Sequence, residues 1–279
     1  MKRVSIVISL WLILFSSLYS QTFKPFSDLK SINQSTLFGI GKVALHDSYL
    51  SPLNYEGVAI SLLHERMKGS QYFNGDLVFQ NQFRIQTGIT ENPTSTASEY
   101  WGSLYYNLNG FYPLITQNDF RLFGGAGLEA TLGGIYNVRN SNNPGSLKTS
   151  ANLTLSAMAL YNWRFLTLRW QITSPFAGMF FSPGYGHSYY EIFTLGNNKG
   201  TLHFGSFNNQ LAMRNYFTVD IPVSSITLRA GYMWDYYHTN VNQLKTRINS
   251  HQFLIGLAFE SLNFGGKKTL NPILNSVYY

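Results

Sequence analysis

The stretch LVFQNQFRIQTGI, residues 77–89, alternates apolar and polar side chains almost without a break. Leu77, Phe79, Phe83, Ile85 and Ile89 form one set, and Gln80, Gln82, Arg84 and Gln86 form the other. Successive side chains of a strand point to opposite faces, so this stretch reads as a β-strand with one apolar and one polar surface. The pattern recurs along the chain. In FLTLRWQIT, Leu166, Leu168, Trp170 and Ile172 oppose Thr167, Arg169, Gln171 and Thr173. ITLRAGYMWDY sets Ile226, Leu228, Ala230, Tyr232 and Trp234 against Thr227, Arg229, Gly231 and Asp235.

Composition says where such strands belong. Charged residues make up only 12% of the chain, about half the share of an ordinary soluble domain, while aromatics reach 16%. No segment after the N-terminus approaches the ~20 continuous apolar residues of a membrane helix. A chain poor in charge and rich in Tyr and Phe, with alternating strands, fits a membrane-spanning β-barrel, whose lipid-facing side chains are hidden in the alternation.

The linkers weigh against the competing reading, a soluble β-sandwich. Short connections (TQND at 116–119, NW at 162–163, SS at 224–225) alternate with longer polar ones such as ENPTSTASE, VRNSNNPGSLKTS and HTNVNQLKT. Tight turns at one end and longer loops at the other characterise outer-membrane barrels. Aromatics gather near both ends, with Tyr112, Tyr161, Trp163 and Phe165 by the short turns and Tyr100, Trp101, Tyr136, Tyr236 and Tyr237 by the loops, as two interfacial girdles would require. Ten strands are readable, at about 36–46, 57–67, 77–89, 100–114, 121–135, 151–161, 165–174, 209–222, 226–238 and 248–259. YYEIFTLG and TLHFGSF, between 175 and 208, supply a further hairpin or a loop over the barrel mouth. The expected fold is therefore an all-β, antiparallel up-and-down transmembrane barrel of about twelve strands, with ten the alternative and both termini periplasmic.

The ends complete this division. Lys2 and Arg3 precede an apolar run from Val4 to about Phe15, then small and polar residues: a secretory signal over 1–20, cut after Ser20. Residues 21–34 form an N-terminal periplasmic segment, 35–260 the barrel and 261–279 a periplasmic tail. The last strand, HQFLIGLAF, places Phe253, Ile255, Leu257 and Phe259 on one face. The chain contains no cysteine, which excludes a lipid-anchored lipoprotein, disulfides, thiolate metal sites and a cysteine nucleophile. Its net charge of +7 falls to about +5 without the signal, and the cations form no basic stripe, so no nucleic-acid partner is expected.

Several stretches, DSYLSPLNYEG (47–57), FFSPGYGHSYYEIFTLGN (180–197), HFGSFNNQ (203–210), RNYFTVDIP (214–222) and RINSHQFLIGL (247–257), carry a resemblance over most of the chain. They resemble an uncharacterised family of Gram-negative outer-membrane barrels known only as a domain of unknown function. The resemblance implies a barrel and the outer membrane, and no activity.

Three motifs invite chemistry. His46-Asp47-Ser48 reads like a catalytic triad in a row, but neighbouring strand residues face opposite ways, leaving a His46/Ser48 pair on one face. Such a pair resembles the dyad of outer-membrane lipid hydrolases, in which the histidine activates the serine. With Lys42 assigned to the lumen, because a lysine on the lipid face costs up to about 2–4 kcal/mol at the midplane, His46 and Ser48 are expected to point inward, away from lipid. The strand is then expected to run out at the rim, with Pro52 marking the exit and Tyr49 an interfacial anchor. GAGLEA (125–130) matches a dinucleotide-binding pattern, but Leu122, Ala126, Leu128, Ala130 and Leu132 alternate through it, so it reads as strand. The six histidines show no ligand spacing, although His187 and His203 share the 175–208 stretch; no metal and no cofactor are expected.

What remains is a set of charges assigned to the lumen: Lys42, Glu65, Arg84, Glu129, Arg169, Arg214, Asp220, Arg229 and Asp235. Charges of both signs in a narrow bore either line an aqueous passage or pair and fill it. With Tyr105 and Phe111 also inward, the filled lumen is the expectation. The functional expectation is a structural or accessory outer-membrane barrel without catalysis, packing against outer-membrane lipid and lipopolysaccharide or another outer-membrane protein. A narrow passive channel and a His46/Ser48 lipid hydrolase are the alternatives.

Overall fold

The computed structural model describes residues 32–70, 73, 76–223 and 226–261. The signal, most of the N-terminal segment and nearly all of the tail lie outside these residues. Within them, eleven antiparallel strands follow one another: β1 (Ile32–Asp47), β2 (Tyr55–Gly69), β3 (Val78–Glu91), β4 (Ser98–Gln117), β5 (Phe120–Asn137), β6 (Gly145–Trp163), β7 (Leu166–Phe181), β8 (Leu202–Ser206), β9 (Gln210–Val223), β10 (Ile226–Val241) and β11 (Leu244–Ser261).

Each strand pairs with the next in sequence except β8 with β9, and β1 pairs with β11 from Ile32↔Ser261 to Asp47↔Thr246, so the sheet closes on itself. The closed ring contains ten strands: β1 to β7, then β9, β10 and β11. Strand β8 lies outside this cycle. It pairs with β7 at Ala177–Phe181, whereas β9 pairs with β7 at Thr167–Thr173. The break coincides with Pro175, which cannot donate to a ladder, and with a register shift against β6 at Leu153/Thr154. Twelve strands are therefore not found. TLHFGSF supplies β8, but in YYEIFTLG residues Tyr189–Phe193 coil into a short helix, α1, under a Ser188/Glu191 capping box.

The two ends of the ring differ. At one end lie the connections after β2, β4, β6 and β9 together with both ends of the ring-forming chain. Two of the turns there are tight: Asn118 (φ 32°) and Arg164 (φ 55°) adopt left-handed backbone at the β4–β5 and β6–β7 turns. The opposite end carries loops 48–54, 92–97, 138–144 and the long 182–209 excursion. HTNVNQLKT departs from expectation. It is a hairpin rather than a long loop, with Asn242 (φ 54°) and Gln243 (φ 62°) forming a two-residue turn between β10 and β11.

The outer wall carries a belt of exposed apolar side chains, including Phe38, Ile60, Ile85, Leu132, Leu155 and Ile255. Of the girdle residues, Tyr112, Tyr161, Trp163, Phe165, Tyr100 and Tyr136 are exposed as expected, but Trp101 is buried in the interior and Tyr237 packs against the same inner cluster.

Candidate functional site: a charge-filled lumen

Eight of the nine charges assigned to the lumen project into it. Six are buried or nearly so: Glu65, Arg84, Arg169, Asp220, Arg229 and Glu129. Lys42 does not. It is exposed on the outer wall with Phe38 and Ile40, while Leu37, Val43 and Leu45 of β1 face inward. Between Leu37 and Leu45 the inner face of β1 is apolar because it faces apolar layers of the core, so the lysine gives a misleading parity.

The lumen is filled in layers. At the turn end, Met67, Val78, Phe111, Phe123, Met158 and Leu160 form an apolar plug. Next comes a network in which two guanidiniums meet two carboxylates. Arg169 grips Glu65 with two bonds of 2.8 Å each. Arg229 lies 3.0 Å from the same carboxylate and grips Asp220 with two bonds of 2.7 Å. Gln82 and Ser35 extend the network, the former donating to Glu65 and the latter accepting from Arg229. Paired, planar contacts of this kind are the strong form of a charge-assisted hydrogen bond.

Above it, Leu37, Leu63, Tyr216, Met233 and Leu254 form a second apolar layer. A second balanced network follows. Asp235 bridges Arg84 and Arg214, the latter at 2.6 Å, and Arg214 lies 3.7 Å from Glu129. Tyr105 donates its hydroxyl to Glu129 at 3.0 Å, and its ring lies 3.6 Å beneath the Arg214 guanidinium. Beside this network is a small, partly open space of about 80 Å³, bordered by Arg84, Arg214, Trp101, Lys148 and Ile248. A third apolar cluster, with Val43, Leu45, Tyr55, Trp101 and Ile135, closes the loop end.

Sequence reasoning missed three inward charges. Lys148 binds Asp47 at 2.8 Å, and Glu99 accepts a 2.9 Å bond from Asn137. Lys148 had fallen within a presumed loop, but β6 begins at Gly145, and Lys148 continues the inward series Ser150, Asn152, Thr154, Ser156. Asp47 likewise continues the inward series of β1 and organises the exit turn, its carbonyl accepting from the backbone N–H groups of Leu50 and Ser51.

The His46/Ser48 pair turns outward with Lys42, so the expected inward orientation is overturned for both. The two are not joined by a hydrogen bond among the described residues. Ser48 Oγ instead accepts from the Lys245 backbone N–H at 2.8 Å, and His46 stands opposite Arg247. Tyr49 is no membrane anchor: its hydroxyl donates to the His187 carbonyl at 2.8 Å, and its ring meets Tyr189 edge-on at 5.6 Å, tying loop 48–54 to the helix-bearing loop. Burial, helped by the neighbouring Tyr189, pushes its phenol up to about 12. GAGLEA lies within β5, as its alternation implies. His203 meets Asn242 at 3.1 Å and stacks near Phe180, while His187 folds over Gly184. Among the described residues no three His, Asp or Glu side chains gather as metal ligands.

Several solved structures share the barrel form. The transport unit of the autotransporter AIDA-I from Escherichia coli is 12% identical, with 91% of this chain and 97% of that one covered and a TM-score of 0.47. The translocator domain of the autotransporter NalP from Neisseria meningitidis is 9% identical, covering 91% and 95%, with a TM-score of 0.40. An outer membrane channel from Pseudomonas putida F1 is 8% identical, covering 87% and 98%, with a TM-score of 0.39. No functionally curated protein matches the chain. A family model matches residues 6–268, nearly the whole sequence, and the chain belongs to that family, described as protein of unknown function (DUF3316).

Proposed function

We propose that this protein is a sealed barrel of a Gram-negative outer membrane, with a structural or accessory role carried by its outer wall and loop end rather than by a pore. The observation that carries this reading is the double ion-pair filling of the lumen. Arg169, Glu65, Arg229 and Asp220 form one balanced layer; Arg84, Asp235, Arg214 and Glu129 form the other, with apolar layers between and beyond. Solute would have to break charge-assisted bonds in a confined space, and the ions left behind would be unpaired there. The exposed apolar belt supports the membrane setting, since such a wall needs lipid rather than water against it. No catalysis is assigned. The working surfaces are the outer wall and the loop end around α1, and the partners are outer-membrane lipid, lipopolysaccharide or a neighbouring membrane protein.

Fractionation of cells and mild-detergent extraction of the full-length chain test this reading. The protein should sediment with the outer membrane and leave it with a lipid or protein companion. Recovery in the soluble fraction, or as a bare monomer stripped of lipid, contradicts it.

A further inference from the structure

The outer face of β1, β10 and β11 gathers basic side chains. At the loop end it carries Lys42, Lys245 and Arg247 together with His46, His238 and His251. The register makes them neighbours: Lys42 lies opposite His251, and His46 and His238 flank Arg247 from either side. Among the described residues no carboxylate faces outward on these three strands. Among the described residues Lys42 makes no ion pair, and the Arg247 guanidinium donates to the side-chain Oδ1 of Asn54 at 3.2 Å.

On these strands the row beneath the patch is apolar, while Lys42's own row continues on β2 and β3 into the exposed Val58 and Ile89. Ile40, Phe253 and Tyr232 are cross-strand neighbours, and Ile40 and Phe253 are among the exposed members of the apolar belt. Lys42, His251 and Trp234 stand one outward position further toward the loops. Cations immediately above an apolar belt lie where lipid headgroups lie, and Lys42 can keep its stem on the belt with its ammonium at that level.

Within the patch is a notch of about 190 Å³, lined by Lys42, Ala44, Glu56, Gly57, Asn249 and His251. Its donors are oriented. The Trp234 indole, which can only donate, gives its N–H to Asn249 Oδ1 at 2.8 Å. The Asn249 oxygen is thereby engaged, and its amide NH₂ is left to meet another acceptor. The Tyr232 hydroxyl meets His251 Nδ1 at 2.6 Å, and the Trp234 ring lies almost parallel to the imidazole, 7° apart. In the tautomer in which that hydroxyl donates to Nδ1, the neutral imidazole carries its proton on Nε2, free to donate. An ammonium, an imidazole N–H and an amide NH₂ thus surround one shallow space, a donor set suited to phosphate oxygens.

We propose that this notch binds the phosphate of a membrane-lipid headgroup, with Lys42, His251 and Asn249 as its ligands. The inference rests on the membrane setting proposed above and names the lipid chemistry that the outer wall selects. Glu56 is the one carboxylate lining the notch, and it stands opposite Glu91 of β3. It opposes an anion and sets a limit on affinity.

The test uses the full-length chain folded in dodecyl maltoside, a phosphate-free detergent, with native mass spectrometry counting bound lipid. The probes are diphosphoryl lipid A, the same lipid enzymatically dephosphorylated, and inorganic phosphate. Diphosphoryl lipid A should bind about tenfold more tightly than the dephosphorylated form, the scale of one charge-assisted hydrogen bond. Lys42→Gln combined with His251→Gln should erase that preference, and Glu56→Gln should enlarge it, with folding of each variant checked by heat-modifiable gel mobility. Equal binding of the two lipids, or an undiminished preference in the double variant, overturns the proposal. Full occupancy by inorganic phosphate at the lipid's affinity overturns the lipid source. Insertion into phosphatidylcholine vesicles separates the two readings: a barrel that inserts without phosphate preference refutes only this inference, and one that fails to insert refutes the membrane setting beneath it.

Discussion

Arg169 on β7 holds both carboxylate oxygens of Glu65 on β2 across the bore, at 2.8 Å each. The two strands are not neighbours in the ring, so this pair ties opposite walls together through the interior. Arg229 shares the same carboxylate, which makes Glu65 the hub of the lower network. Glu65→Gln would remove the carboxylate on which both guanidiniums converge in a closed space. Breaking a buried pair by removing one partner costs about 3–5 kcal/mol. Urea unfolding in detergent, followed by tryptophan fluorescence, should show a loss on that scale. A loss below about 1 kcal/mol, the range of an exposed ion pair, would mean that the network is solvated.

The seam between the first and last strands depends on close approach. A Cβ on Gly41 would lie 1.8 Å from the His251 carbonyl oxygen. Gly41→Val should therefore prevent β1 and β11 from pairing over their upper half, at a cost above the ~1–3 kcal/mol of ordinary overpacking. Heat-modifiable gel mobility reads ring closure directly. The variant should lose the compact band at a temperature where the parent keeps it, and identical melting of the two would contradict the register.

Ser48 provides a check on catalysis. Its Oγ accepts from the Lys245 backbone N–H, and among the described residues no hydrogen bond joins it to His46, the partner that would activate it. Incubation with phospholipid and lipopolysaccharide should release no acyl chains, and Ser48→Ala should behave like the parent. Release that disappears in Ser48→Ala would establish a hydrolase on the outward face.

Loop docking should respond to alkali. The folded phenol of Tyr49 titrates at about 12 against an ordinary value of 10.0, so its contribution is complete below pH 10 and is lost as pH rises through 12. Proteinase K cleavage of loop 182–201 should rise over that interval in the parent. Tyr49→Phe lacks the bond to the His187 carbonyl, worth about 0.5–1.5 kcal/mol, and should be cut faster already at pH 8. Equal cleavage of both proteins at pH 8 would show that the hydroxyl does not hold the loop.

Strand alternation makes the barrel legible because its wall separates two environments at every residue. Arg84, Arg169 and Arg229 were assignable inward because bulky apolar neighbours such as Ile85, Trp170 and Leu228 occupy the other parity. On β1 both parities are apolar, since Leu37, Val43 and Leu45 fill lumen layers while Phe38 and Ile40 face out. There the single charge decided the reading, and it decided wrongly. Lysine on the outer wall of a membrane barrel costs about 2–4 kcal/mol only at the midplane and about 0–1 near an interface, so one lysine is a weak guide to parity. His46 and Ser48 inherited that error. Strand ends were the other weakness: Lys148 and Glu99 lie in strand extensions beyond the expected boundaries, and local sequence does not reveal how far a closed wall protrudes. The 175–208 stretch defied assignment because its alternating pieces are short enough for either a helix or a strand. Only pairing with β7 selects β8, and only the Ser188/Glu191 cap selects α1.

Single-channel recording of the purified full-length protein in a planar lipid bilayer tests the sealed lumen most directly. The two ion-pair layers and the apolar clusters between and beyond them predict no steady conductance steps above the bare bilayer. Stable open-channel steps from the unaltered protein would contradict the account.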